Sequence, residues 1–424
     1  MGESLAGKPL SHVDSAWLRM ERLENPMVIT TALSMRGQVQ FEDMLRVIEE
    51  RFLKNERFLL RVVDSRLPLV PPHWERDAHF DLRSHVHHVR LPAPGGERAF
   101  DDFVGDLMST RLDPDKPLWQ TYIVDDAPHG TAMVSRIHHC LADGVALVRV
   151  LLGLADEHVA MPRTEVGQKR ARGPLNLQAL SRRASSYAAT LGRLLLLPSD
   201  PHTLLRGALG GRKRATRAQP IPLAALKAAA KKHGATLNDL LATVVTATLH
   251  DYLESEGVCT TGLTLRALQP VFLPDTDDTG LGNHFGLVFA DLPVGVRDPT
   301  ERMVEVKRKL DQLKAQDDAT VAFAVLDAVG VASHDLEHLW LEIFSRKATV
   351  LLSNVPGPSE PIRLAGHIVE DVTVWAPGGG YLGVGFSAVS YAGNVRVSLH
   401  VDSKLNLDPN ALARAFDTQV ALHL

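Results

Sequence analysis

The chain has 424 residues, 45% hydrophobic and 23% charged, which is enough apolar mass for two or three domains and argues against wholesale disorder. A net charge of −4 excludes a generally basic nucleic-acid binder, and two cysteines, Cys140 and Cys259, exclude a disulfide framework. With no secretory h-region at the start and no apolar run near the ~18 residues of a membrane span, the expectation is a soluble protein of the reducing cytoplasm.

In chain order, Phe41, Met44, Leu45, Ile48, Phe52 and Leu53 recur at helical spacing, as do Phe100, Phe103, Val104 and Leu107. Residues 119–124 and 131–137 read as paired strands joined at Pro128-His129-Gly130, and 145–154 as a helix. Between 163 and 217, twelve Lys/Arg face only Glu165 and Asp200, a net of +10 that leaves −14 on the rest. Glycines and prolines punctuate this stretch, so it reads as a basic linker between an N-terminal domain, 1–162, and a C-terminal domain, 218–424. Within it, 175–197 reads as a helix with Arg182, Arg183 and Arg193 beside Leu180, Leu191, Leu194 and Leu195. Such a stretch suits peripheral contact with an anionic membrane or lipid droplet, and equally a solvated linker. Residues 222–232 and 237–253 read as helices, with Gly234 stopping the first. Strands are expected at 263–272, 284–293, 348–352 and 384–401, the last folded as a hairpin around Gly393-Asn394. Helices and strands mix without regular βαβ alternation, which predicts an α/β fold with mixed sheets.

The sharpest feature is Ile137-His138-His139-Cys140-Leu141-Ala142-Asp143-Gly144, at a strand-to-helix junction. Adjacent strand side chains point to opposite faces, so one histidine can meet a channel while the other packs behind it. Asp143 can hold the bend by hydrogen bonds or an arginine, and Gly144 permits a close approach that a Cβ would obstruct. A neutral imidazole suits removal of a proton from a hydroxyl. The bland alternative is that both histidines end a strand and satisfy local backbone groups.

At these residues the chain resembles the acyl-CoA-dependent acyltransferases whose site is His-His-x-x-x-Asp-Gly, a group holding chloramphenicol-acetyltransferase-like enzymes and condensation domains. More closely, it resembles the bacterial wax ester synthase/diacylglycerol acyltransferase family, from about Leu10 to Lys404. The ordered set includes Asp14, Asn25-Pro26-Met27, Phe80-Asp81-Leu82, Pro117-Leu118-Trp119, Asn238-Asp239, Gly282-Asn283-His284-Phe285-Gly286, Ser353-Asn354-Val355-Pro356-Gly357-Pro358 and Ser390-Tyr391-Ala392-Gly393.

The resemblance implies two chloramphenicol-acetyltransferase-like domains, a pseudo-dimer with a tunnel between them. Acyl-CoA, a substrate rather than a cofactor, would meet diacylglycerol or a fatty alcohol there, giving triacylglycerol or wax ester. His139 would be the general base, with His138, Asp143 and Gly144 completing the catalytic motif. Asn238 would be the oxyanion donor, with Ser390 or Ser387 as further candidates. Arg266 is the nearest basic partner for Asp143, because the chain reads Pro270-Val271-Phe272-Leu273 where the family often has an arginine. Val28 stands where the family has His or Asn, and a C-terminal Asp-Phe-Gly-Trp-Gly of plant and condensation relatives is missing. The same chemistry on a polyketide-type alcohol or an amine, and a non-catalytic lipid-binding role, are the competing functions.

Other residues have structural readings. Thr236-Leu237-Asn238-Asp239 fits a capping box, which makes Asp239 structural. Pro117 and Trp119 read as a rigid lead into a core strand, and Asn354 and Gly357 as a stiff turn that could shape a tunnel wall. Gly378-Gly379-Gly380-Tyr381-Leu382-Gly383 matches G-x-G-x-x-G but leads into a strand rather than a helix, which argues against a dinucleotide site. His334-Asp335-Leu336-Glu337-His338 matches a zinc-peptidase string but suits an ordinary helix, and no metal is expected. His85-Val86-His87-His88 alternates like an exposed strand edge.

Overall fold

Two mixed sheets carry the fold in a computed structural model that describes residues 4–64, 70–157, 159, 177–273, 281–316, 318–330 and 334–424, apart from the side chains of 177–186 and 334–339. The N-terminal half runs α1 (His12–Arg19), β1 (Val28–Arg36), α2 (Phe41–Arg51), β2 (Leu60–Val63), β3 (His73–Arg76), β4 (Val86–Arg90), α3 (Gly96–Met108), β5 (Trp119–Ala127), β6 (Gly130–His138) and α4 (Gly144–Leu154). Next come α5 (Leu177–Leu196), β7 (Lys213–Arg217), β8 (Ile221–Pro222), α6 (Leu223–Lys232), α7 (Leu237–Ser255), β9 (Leu265–Phe272), β10 (Phe285–Leu292) and α8 (Pro299–Lys314). The chain closes with α9 (Asp318–Val329), α10 (His334–Ser345), β11 (Val350–Pro356), β12 (Arg363–Leu364), β13 (His367–Trp375), β14 (Val384–Tyr391), β15 (Asn394–Asp402) and α11 (Pro409–His423).

The first sheet has the order β12-β13-β1-β6-β5-β4, antiparallel except for the β4–β5 pair. The second has the order β10-β9-β11-β14-β15-β7, with parallel pairs on both sides of β11. Local chemistry explains the junctions. The β14–β15 hairpin turns through Ala392 and Gly393, both at positive φ, as a two-residue turn that matches strand twist requires. Gly234, at φ +58°, follows the end of α6. The Thr236/Asp239 capping box starts α7, and Lys314 pairs with Asp239.

The expected domain limits need two corrections. β7, expected within the linker, is hydrogen-bonded to β15 in the second sheet. β13, from the C-terminal half, pairs with β1 in the first sheet. Period-two patterning shows that a segment is a strand but not which sheet it joins, so neither crossing follows from the sequence. The helix expected at 175–197 is α5, and its C-terminal turn is anchored: the Lys347 ammonium donates to the carbonyls of Leu194, Leu195 and Leu197 at 2.7–2.8 Å, while Arg193 pairs with Asp318. The rest of the expected linker, 160–176, lies outside the described residues. Among the described residues no helix is long and apolar enough to cross a membrane.

Alternation across the second sheet sets up the site. Ala267, Ala290, Leu352, Phe386 and Leu399 face a core closed by α6, α7, α8 and α11. On the opposite face, Leu268, Pro270, Leu287, Phe289, Leu351 and Ser353 line a cavity covered by α9 and α10. The strand edge formed by β4 also differs in one detail from expectation: His85 is buried, stacked 4.7 Å from Trp119 with Nδ1 2.8 Å from the Trp119 carbonyl.

Candidate active site

β6 delivers the double histidine to the cavity. Its neighbour β1 pairs Val28 with His138, and the His139 amide continues the ladder by donating to the Met27 carbonyl at 2.7 Å. The chain then bends, and α4 begins at Gly144 with Asp143 as its N-cap. The two rings part as strand alternation demands.

His138 turns away from the cavity. Its Nδ1 accepts from the Cys140 amide at 3.1 Å, so the proton sits on Nε2, which is 2.7 Å from Glu21 Oε2. Burial opposes ionisation of Glu21, but its bonds to His138 and Arg111 outweigh that and hold the carboxyl below its usual value. His138 is fully buried with both nitrogens engaged, and serves to fix the bend.

His139 lines the cavity. Its ring stacks on Trp17, centroids 4.2 Å apart and planes 13° from parallel, with Phe285 tilted at 5.4 Å. Nδ1 lies 2.9 Å from Asn283 Oδ1. The Asn283 amide nitrogen donates to Asp14 Oδ1 at 2.8 Å and to the His139 carbonyl at 2.7 Å. Two acceptors fix the amide's orientation, so Oδ1 must accept and His139 Nδ1 must carry the proton. The Nε2 lone pair is left for the cavity. Burial lowers the His139 pKa to about 4, more strongly than the Asn283 bond raises it, so the ring is a neutral base at physiological pH. Behind Asn283, burial pushes the Asp14 carboxyl up while Arg57, at 3.6 Å, opposes it.

The other expected residues fall into two groups. Asp143 and Gly144 line the cavity with His139. Asp143 finds backbone partners rather than an arginine: it accepts from the Ala146 amide at 2.8 Å and the His284 amide at 3.0 Å, tying the motif to the 282–284 loop. A Cβ on Gly144 would come within 3.1 Å of Val355. Asn354 lines the same wall, beside Ser353.

Arg266, expected beside Asp143, instead faces Asp200 and Asp291 at 3.4 and 3.3 Å. Asn238, expected as oxyanion donor, accepts from Gln269 at 2.8 Å. Gln269 alternates with the cavity-lining Leu268 and Pro270, which puts Asn238 on the far face of the sheet. Ser390 and Ser387 point into backbone: their hydroxyls accept from the Gly357 and Ala376 amides, and Gly357 has no room for a Cβ against the Ser390 carbonyl. Asp239 caps α7. Pro117 leads into β5, which Trp119 starts beside the histidines, with Trp119 Nε1 donating to the Phe58 carbonyl at 2.8 Å. The 334–338 string lies in α10, its side chains outside the described residues, and among the described residues no cluster of three His, Cys, Asp or Glu is placed to hold a metal.

Sequence reasoning assigned no role to Asn283, Asp14, Arg57 or Trp17. Asn283 and Asp14 stand in the ordered set of motifs, but 144 residues separate Asn283 from His139, and spacing gives no hint of their bond.

The cavity encloses about 1530 Å³ including its open mouth, with mostly apolar walls such as Phe272, Leu326, Val329, Leu341 and Phe344. A neutral, oriented imidazole in such a space can deprotonate a hydroxyl brought in on an apolar molecule.

Known proteins resemble this chain in sequence and in fold. The wax ester synthase/diacylglycerol acyltransferase catalytic domain model matches residues 10–195, and the C-terminal domain model of the same family matches 281–422. The chain is 26% identical over 446 residues to a Mycobacterium tuberculosis protein described as a probable diacylglycerol O-acyltransferase, covering 97% of this chain and 95% of that one. The fold superposes on the wax ester synthase/diacylglycerol acyltransferase from Marinobacter aquaeolei VT8 with a TM-score of 0.71 at 21% identity, covering 98% of both chains. It also superposes on the first condensation domain of the calcium-dependent antibiotic synthetase, with a TM-score of 0.62 at 15% identity, covering 100% and 96%.

Proposed function

Because the chain belongs to the wax ester synthase/diacylglycerol acyltransferase family, we propose that it moves a fatty acyl group from acyl-CoA to diacylglycerol or a long-chain alcohol, giving triacylglycerol or wax ester. The observation that carries the reading is the His139 tautomer, with Nδ1–H spent on Asn283 and Nε2 facing an apolar cavity. In this mechanism Nε2 takes the hydroxyl proton as the oxygen attacks the thioester carbonyl. The tetrahedral intermediate collapses, the C–S bond breaks, and the imidazolium returns the proton to the departing CoA thiolate. Holding both substrates in line removes the need for an acyl-enzyme.

Ser353 and Asn354 are the oxyanion candidates in place of Asn238, because both line the cavity and neither side chain is hydrogen-bonded among the described residues. One well-placed donor is worth about 3–4 kcal/mol of transition-state stabilisation. Peripheral lipid contact through the end of α5 belongs to the same proposal, since Leu195 and Leu196 are exposed there. Liposome flotation of a Leu195→Ser/Leu196→Ser variant tests that part, and equal flotation removes it.

The deciding experiment is CoA release from palmitoyl-CoA with hexadecanol and dioleoylglycerol offered separately. Release that requires an alcohol establishes the reaction, and the faster acceptor names the product. No release from folded protein would mean another acceptor or a binding role.

A further inference from the structure

One end of the cavity lies where the 376–383 loop packs against the C-terminal end of α10, with Gly380 against Ser345. Ser345, Gly379 and Leu382 line the cavity, and their chain neighbours Arg346 and Tyr381 are exposed and half-buried. Asn25 anchors the loop by donating to the carbonyls of Gly380 and Leu382, each at 3.3 Å. The glycine spacing of this loop leads into β14, so no helix N-terminus is present to receive a phosphate.

Arginines gather there instead. The Arg22 and Arg346 guanidinium carbons lie 5.9 and 5.4 Å from the Tyr381 ring centroid. Arg206 sits in the field of Arg346 and Arg266, which adds to burial in lowering its pKa. The acids facing this group are Glu342, which takes Arg346 and the Tyr381 hydroxyl, and Asp200 and Asp291, which flank Arg266; Asp200 also lends charge to Arg206. Lys347 is spent on the carbonyls that end α5. Among the described residues neither Arg22 nor Arg206 makes an ion pair. Positive charge is thus left at one end of a cavity with apolar walls, in a chain whose net charge is −4.

We infer that Arg22 and Arg346, both over the Tyr381 ring, bind the phosphate groups of the CoA half of the acyl donor, with the thioester arm running inward to His139. The inference rests on the acyl-CoA reading above. Its chemical logic is a division of environments: the phosphates stay at the hydrated rim, where guanidinium forks match their oxygens, and the acyl chain enters the apolar interior. An anionic lipid headgroup presents the same phosphate chemistry, so the test separates the two sources.

The test compares palmitoyl-CoA with the palmitoyl thioester of N-acetylcysteamine, which lacks phosphates, in Arg22→Ala, Arg346→Ala and the double variant. Each single change is expected to raise KM for palmitoyl-CoA about 5-fold and the double change about 20-fold or more, with kcat held within about 2-fold. Kinetics with the phosphate-free thioester should stay unmoved, and Arg346→Lys should restore part of the loss. Binding of free CoA by calorimetry gives a readout that needs no turnover. CoA bound by the wild type and lost in the double variant, with no transfer to any alcohol, would keep this site while removing the proposed function. Equal losses with both thioesters, or unchanged CoA binding, would overturn the inference. Weakened flotation on phosphatidylglycerol vesicles with unchanged CoA binding would reassign the arginines to a lipid headgroup.

Discussion

Two hairpins, β5–β6 and β14–β15, are each followed by a helix with an aspartate N-cap, and each carries a buried histidine near its end. Burial lowers the pKa of both rings, His139 to about 4 and His400 to about 3. Only one of them has an outlet. His139 meets a stacked tryptophan, an oriented amide and a cavity. His400 lies over Gly385, where a Cβ would come within 2.1 Å of its Cε1, and its Nδ1 has no hydrogen-bond partner among the described residues. Beside it Asp402 is committed to Lys213 at 3.0 Å and to the amides of Gly210, Gly211 and Lys404. Desolvation alone therefore does not make a base. The oriented partner and the open face are what separate chemistry from architecture.

Exchanging the fates of the two histidines is the strongest way to break this comparison. His139→Ala is expected to cut transfer about 10²–10⁴-fold with little change in melting temperature. His400→Ala should leave kcat in place and lower the melting temperature, because it opens a void in the packed second sheet. Parallel assays of CoA release and calorimetry decide it, and loss of turnover in a stably folded His400→Ala would end the distinction. Next in size, Asp402→Ala strands the buried Lys213 ammonium and three backbone amides, and should cost about 3–5 kcal/mol in urea unfolding. Asn283→Ala sharpens the comparison from the other side: it frees the imidazole tautomer, and kcat/KM should fall about 10–100-fold with stability changed by less than the Asp402 variant.

The smallest effect is in pH. Both histidines protonate near 6.5 when unfolded but resist protonation when folded, so the unfolded chain binds more protons as pH falls. Stability should be fully expressed above about pH 6.5 and decline progressively below it. Melting temperatures across about pH 5–8 read this slope, and His400→Ala should flatten it. Turnover per folded molecule should stay level over the same range, since His139 remains neutral. An acid limb near 6.5 would mean that the ring is hydrated in the working enzyme.

The split between the two hairpins was half visible in the sequence. His138-His139 with Asp143-Gly144 announces a bend with a special side chain, and strand alternation correctly separates the two rings. Asn238 and Arg266 looked equally eligible because sequence order cannot say which sheet face a side chain takes. One residue of alternation, Gln269 against Leu268 and Pro270, moves Asn238 out of the cavity. Asn283 was invisible as a partner for the opposite reason: its role exists only where the two halves meet. The strand character of 384–401 follows from local composition. Membership of β13 in the first sheet depends on pairing across nearly the whole chain, for which no local pattern codes.

That crossing has a consequence for how the molecule is made. A chain emerging from its N-terminus completes β1, β4, β5 and β6 long before residues 367–375 exist. Until β13 arrives, β1 presents a free row of amides and carbonyls on a largely buried strand, the kind of edge that recruits other nascent chains. A product cut short in the middle of the chain, or a deliberate division at the basic stretch, leaves that edge open. Only a ribosome that has read past Trp375 releases a chain able to close its own first sheet.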